Sequence, residues 1–219
     1  MNFSDYINRQ NAIYNELWCN SDLLDNLYPH DFINRGGYII ALRHSHSITD
    51  SIEKLNTKIN EIIPIMKYDR TNIHTTIATY LAKDNFIPDE RILAKIIHIF
   101  DGNTIAFGKI KICYSDYLID KSAMILAGNP NAGFFNNCDN IIKLLHKENL
   151  LFEFPWGAHI TVCRFLQNGS KKQIEELYNL INESKELYES TPMYIDIGYS
   201  ENNGREFKLN LYKRIKIDY

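Results

Sequence analysis

Two runs of alternating, branched residues in this chain carry the same pattern: His74-Thr75-Thr76-Ile77 and His159-Ile160-Thr161-Val162. Alternation at period two is the mark of a strand. In a strand, residues i and i+2 leave the same face about 6.6 Å apart. Each run therefore presents one imidazole and one hydroxyl together. Around the second run, Ala158, Ile160 and Val162 form the opposite, core-packing face, so His159 and Thr161 look away from it. Around the first, Ile73 and Ile77 pack with Thr75 between them, which a core accepts where the hydroxyl reaches a backbone carbonyl. If the fold joins the two strands, two acid–base groups and two hydroxyl donors surround one small volume. That set suits the cutting or opening of a phosphodiester.

The flanking sequence is organised to place both strands. Ser21-Asp22 opens a short helix that stops at Tyr28-Pro29, within an N-terminal helical stretch reaching Arg35. Gly36-Gly37 releases a strand over 38–42. Thr49 or Asp50 caps a helix with Ile52, Leu55, Ile59 and Ile62 on one stripe, ended by Pro64. The first His-x-Thr strand spans 73–80. Pro88-Asp89-Glu90 opens a helix burying Ile92, Ile96, Ile97 and Phe100. Strands follow over 105–114 and 123–127, the latter broken by Gly128-Asn129-Pro130-Asn131. A helix carrying Ile141, Leu144 and Leu145 leads to the second His-x-Thr strand at 158–165. Asn168-Gly169-Ser170 opens another helix. A hairpin, 193–199 and 207–213 about Asn202-Asn203-Gly204, closes the chain. Each half thus echoes the other: a His-x-Thr strand, a helix, then strands.

Composition sets bounds. The 219 residues are 45% hydrophobic and 23% charged, with a net charge of -3. That charge argues against a surface that coats nucleic acid broadly, so contact with a polynucleotide is expected to be local, at a terminus or a single phosphate. No window approaches the roughly 18 apolar residues of a membrane span. Cys19, Cys113, Cys138 and Cys163 form no Cys-x-x-Cys pair, and no apolar leader precedes them. Free thiols in a reducing, cytoplasmic setting are expected.

The paired motifs resemble the 2H phosphoesterase superfamily, which includes 2′-5′ RNA ligase-like proteins and RNA cyclic phosphodiesterases. The order of elements agrees: a strand like 38–42, a helix, then the first motif. Arg164 follows the second motif in His-Ile-Thr-Val-Cys-Arg, as is frequent in that superfamily. Ala158 stands where a proline is usual. The resemblance covers about residues 36–215, within a domain expected over 36–219, and leaves 1–35 as an extension. It implies an α+β, bilobal fold: two pseudo-symmetric lobes of antiparallel sheet, helices outside, one motif on each side of a central cleft. It also implies metal-independent, cofactor-free action on 2′,3′-cyclic phosphates of RNA ends or on small cyclic nucleotide phosphodiesters. Related readings are 2′-5′ ligation or cleavage, and a module that holds nucleotides or RNA ends without turnover. A nucleotide or RNA terminus is then the partner, and the protein is expected to act as a monomer away from membranes.

On these residues the resemblance implies that His74 deprotonates water and His159 protonates the leaving oxygen. Thr76 and Thr161 would hydrogen-bond the non-bridging oxygens, where charge gathers in the transition state. Tyr38, Phe154 and Trp156 are candidates for stacking on a base. Arg164 should point away from His159 in a regular strand and reach a phosphate only from a strand end or bulge. Cys163 should share the face of His159. His44-Ser45-His46 is expected as a solvated loop, its alternative being a metal pair with His30 as third ligand. Lys213, Arg214 and Lys216 are expected as a solvated basic end.

Overall fold

The computed structural model describes residues 1–19, 34–103, 105, 107–184 and 186–218. The helix expected over 21–28, and His30, lie outside the described residues. In chain order the elements are α1 (Phe3–Cys19), β1 (Arg35–Arg43), α2 (His46–Ile62), β2 (Ile65–Lys67), β3 (Thr75–Asp84), α3 (Glu90–Gly102), β4 (Ile112–Ile119), β5 (Ala123–Pro130), α4 (Ala132–Lys147), β6 (His159–Phe165), α5 (Lys171–Glu183), β7 (Tyr188–Ser190), β8 (Tyr194–Asn202) and β9 (Phe207–Lys216). The architecture is α+β, with one curled antiparallel sheet in the order β7-β4-β5-β6-β3-β1-β8-β9 and β2 paired to β6.

Local chemistry sets most boundaries. Asp89 caps α3 by accepting from the Arg91 backbone N–H. Ser170 and Gln173 form a reciprocal capping box on α5. Asn131 caps α4 by accepting from the Phe134 N–H. Gly128, Asn129 and Pro130, expected to break β5, instead stay within it. Their partners on β4 continue to Ile112, and the strand expected over 105–114 is accordingly shifted to 112–119. α2 starts at His46, earlier than expected, with Ser45 as its extended cap residue.

The two His-x-Thr strands meet at the middle of the sheet. One antiparallel pair, Thr75 with Ile160, joins β3 to β6. Beyond it β3 turns to Glu153, with backbone bonds in both directions to Thr79. Outward from this seam the order repeats in opposite senses: β1 and β5, each followed by a helix, flank the two motif strands.

One face of the sheet forms the main core. Tyr38, Ile40, Leu42, Ile77, Leu126, Ile160 and Val162 pack there under the apolar stripes of α2, α3, α4 and α5. α1 joins this core through Tyr6, whose ring lies against Phe134, Phe135 and Phe154. The other face carries a smaller cluster of Leu118, Ile125 and Ala127, covered by Tyr14, Leu17 and Trp156. No helix among the described residues is long and apolar enough to cross a membrane.

Candidate active site

The pairing of Thr75 with Ile160 fixes what lies beside it. Both residues are fully buried on the core face. Their neighbours therefore project from the other face, His74 across from Thr161 and Thr76 across from His159. Directly opposed side chains start about 5 Å apart, and the two histidines, on the diagonal, about 7–8 Å apart. Small residues flank the group. Ala127 pairs with His159 on one side, and Ala41 pairs with Thr76 on the other. Both alanines are buried, and Trp156 packs against the cluster that holds Ala127. Among the described residues nothing bonds the Thr76 or Thr161 hydroxyl, and neither is sealed from solvent.

The imidazole of His74 is held from behind. The Nδ1 of His74 lies 2.6 Å from the Asn72 carbonyl. A carbonyl only accepts, so Nδ1 carries the proton and Nε2 keeps a lone pair. The Gly157 backbone, also two residues upstream, acts on His159 in the same sense. Its geometry falls short of a hydrogen bond, which leaves the His159 Nδ1 buried without a partner among the described residues. Trp156 stacks on His159 at 4.1 Å between ring centres. Phe207, from the start of β9, lies parallel to His74 at 5.9 Å and to Tyr68 at 4.9 Å. Asn72 donates to the Phe207 carbonyl at 2.7 Å, so the turn end of the β8–β9 hairpin folds back over this segment.

Electrostatics keep both rings neutral near pH 7. Burial lowers His74 to about 4; the bond to Asn72 opposes this, while Arg43 and Arg164 add to it. Burial lowers His159 to about 3, with His74 and Arg164 pushing the same way. Beside His74, Asp196 is buried between two guanidinium groups. Arg214 binds it through Nε at 2.6 Å and Nη2 at 2.9 Å, and Arg43 Nε lies 3.3 Å away. Arg43 also donates to the carbonyls of Ile73 and Arg70, tying this ion cluster to the approach to His74.

Several residues differ from the sequence expectation. In β6, Cys163 pairs with Met124 but Thr161 pairs with Ile125, so Val162 is an extra, bulged residue. The bulge turns Cys163 into the core, where burial pushes its thiol up to about 12. It turns Arg164 onto the face of His159, where Nε donates to the Tyr68 hydroxyl at 3.0 Å. Tyr38 lies on the core face, with 1% of its surface exposed, hydrogen-bonded to the Asp89 backbone and stacked on Tyr80. Alternation along β1 aims it away from the histidines. Phe154 packs on Tyr6 and Phe135, away from the polar group. Of the three candidate aromatics, Trp156 alone stands at a histidine. Arg214 is held by Asp196 and Lys213 by Asp101, rather than forming a merely solvated end.

His44 is not in a solvated loop. Its Nδ1 meets the Ser190 hydroxyl at 2.8 Å and its Nε2 meets the Thr75 hydroxyl at 3.1 Å. Thr75 in turn lies 2.6 Å from the Tyr114 hydroxyl and donates to the His159 carbonyl at 3.1 Å. A consistent set of donors follows: Ser190 to His44, His44 and Tyr114 to Thr75, Thr75 to the backbone of His159. Thr75 thus finds the carbonyl that its place in the core requires. Burial lowers His44 to about 3, with smaller contributions from His74 and Arg43. His46 is exposed.

Asn72, Phe207, Asp196 and Tyr114 carry no signal of their role in the sequence. They reach the site from the loop before β3, from β9, from β8 and through the sheet from β4. Among the described residues, no group of three or more His, Cys, Asp or Glu side chains is placed to hold a metal ion. No known family model matches the chain, and no curated protein matches its sequence.

Proposed function

We propose that the paired histidines form the centre of a phosphodiesterase that works by acid–base chemistry without metal. Within that class, the reading favoured is hydrolysis of a 2′,3′-cyclic phosphate at an RNA end or on a small nucleotide, on a two-lobed fold of the 2H type. The observation that carries it is the central pair of Thr75 with Ile160. It sets two imidazole–threonine pairs on one face in mutual opposition.

Water attacks phosphorus in line with the oxygen that leaves. His74 takes the proton of the water on Nε2, since Nδ1 is already bonded to Asn72. His159 supplies a proton to the leaving ribose oxygen as its bond to phosphorus breaks. With no anion beside it, His159 is neutral near pH 7. The negative phosphodiester brings the charge that favours its protonated form on binding. Thr76 and Thr161 donate to the non-bridging oxygens. Arg164 adds positive charge on the same face, and the outward reach of its strand is set by the bulge at Val162.

The test is incubation of the protein, with EDTA present, with 2′,3′-cyclic mononucleotides, a 2′-5′ linked dinucleotide and a cyclic dinucleotide. Turnover to a ribose monophosphate, lost in His74→Ala and His159→Ala, supports the reading. Turnover that survives either substitution, or that EDTA abolishes, overturns it.

A further inference from the structure

The face that carries His159 also holds a cavity that the two-histidine chemistry leaves unused. It measures about 420 Å³ and lies between α1 and the paired strands β4 and β5. Its position relative to the histidine is fixed by strand register. Asp116 pairs with Ala127, and Ala127 pairs with His159. The backbone positions of Asp116 and His159 therefore stand two strand spacings, about 10 Å, apart along one row of the sheet. That is the scale separating a ribose phosphate from the far edge of its base.

The wall from α1 is fastened in place. Gln10, 1% exposed, donates through Nε2 to the Gly128 carbonyl at 3.0 Å and accepts from the Ala158 N–H at 2.8 Å. Its amide spans the gap between β5 and the backbone just before His159. A side chain at Gly128 would stand 2.1 Å from the Ala158 carbonyl, so only glycine permits this approach. Tyr14 hydrogen-bonds Gly128 and meets Trp156 edge to face at 5.8 Å.

The lining excludes an anion and suits a planar, hydrogen-bonding group. Tyr14 and Leu118 offer apolar surface, and Asn11 and Asn15 offer exposed carboxamides. Asp116 is the charged residue of the lining. Its Oδ2 accepts from the Ser115 hydroxyl at 2.6 Å, and among the described residues nothing bonds Oδ1. A carboxylate repels phosphate and accepts from N–H groups. Guanine alone among the common bases sets two N–H donors of ring and amino group side by side.

We propose that this cavity is the nucleobase subsite, that guanine is its preferred base, and that α1 is thereby part of the binding site. The inference rests on the phosphodiesterase reading for what the base is attached to. It does not need turnover to be tested. Guanosine, adenosine, cytidine and uridine are titrated into the full chain and followed by NMR or calorimetry. Guanosine should bind most tightly. Asp116→Asn, which keeps size and shape, should weaken it about tenfold or more. Asn15→Ala, at an exposed helix position, should weaken it to a smaller degree. Failure of the wild type to bind any nucleoside at millimolar concentration overturns the proposal, as does wild-type affinity in both variants. If guanosine binding depends on Asp116 but no cyclic phosphate is turned over, the subsite stands and the phosphodiesterase reading falls. If cyclic phosphate is turned over without Asp116-dependent nucleoside binding, the phosphodiesterase reading stands and the subsite falls.

Discussion

At the residue scale, the proposed chemistry and the acid stability both turn on the histidines. Alanine at His74 or His159 should lower kcat/KM by about 10²-fold or more, measured on a 2′,3′-cyclic mononucleotide. The productive free protein has one ring charged and one neutral. With His74 at about 4 and His159 at about 3, the single proton rests chiefly on His74, so the form with His159 charged is the minor of the two, and both peak on the acid side. kcat/KM should therefore fall as pH rises from acid to neutral, while kcat, which reports the complex with an anion bound, should peak at higher pH. Coincident profiles would count against the assignment. The same shifts bear on folding. An unfolded imidazole titrates near 6.5, whereas His44, His74 and His159 lie at about 3, 4 and 3 in the fold. Between these limits the unfolded chain binds more protons. Stability is then full above pH 6.5 and declines as pH falls toward 4, by up to about 1.4 kcal/mol per pH unit for each histidine. Urea midpoints across this window test the slope, which His44→Gln should make shallower by one proton.

At the element scale, α1 and the bulge in β6 do what their own sequences do not announce. Gln10 joins two strands through both ends of one amide. Gln10→Ala leaves the Ala158 N–H without its partner and the Gly128 carbonyl with only the long bond from Tyr14, and should cost about 1–3 kcal/mol, read from thermal or urea unfolding. A change within a few tenths of a kcal/mol would show that water replaces the amide at no loss. The N-terminal helix lies outside the resemblance drawn from the motifs, yet its Tyr6 is fully buried in the main core. The bulge has a subtler effect. Regular alternation puts Arg164 on the core face and Cys163 beside His159. One inserted residue reverses both placements, and nothing in Val162-Cys163 marks it in the sequence.

At the scale of the whole molecule, the sheet is continuous across a seam of one residue pair, and buried charge holds its curled half together. Asp196 is 2% exposed between Arg43 and Arg214, which come from neighbouring strands on either side. Asp196→Asn removes the charge but keeps the volume, and leaves Arg43 largely buried without its counterion. A loss of about 3–5 kcal/mol is expected in urea unfolding. An unchanged midpoint would mean that solvent already screens the cluster. Tyr194, Ile195 and Asp196 also illustrate the division between faces. Ile195 enters the core, while Asp196 faces the side of the sheet where His74 and Thr76 stand.

Short-range pattern determined a good deal. Alternation around His74 and His159 established two strands with polar groups on one face, because the apolar partners Ile77, Ile160 and Val162 can be buried only on the other. Ser170, Asp89 and the turn at Asn203-Gly204 marked element ends, because capping and turn chemistry act within a few residues. Contacts between distant segments were decided only when the chain folded. Phe207 over His74, Gln10 between Gly128 and Ala158, and Asp196 between two arginines each join residues separated by more than a strand's length in sequence. Strand order and register create those meetings, and neither is encoded by local periodicity. The motifs therefore fixed which groups face the site, whereas the tertiary structure decided what stands behind and beside them.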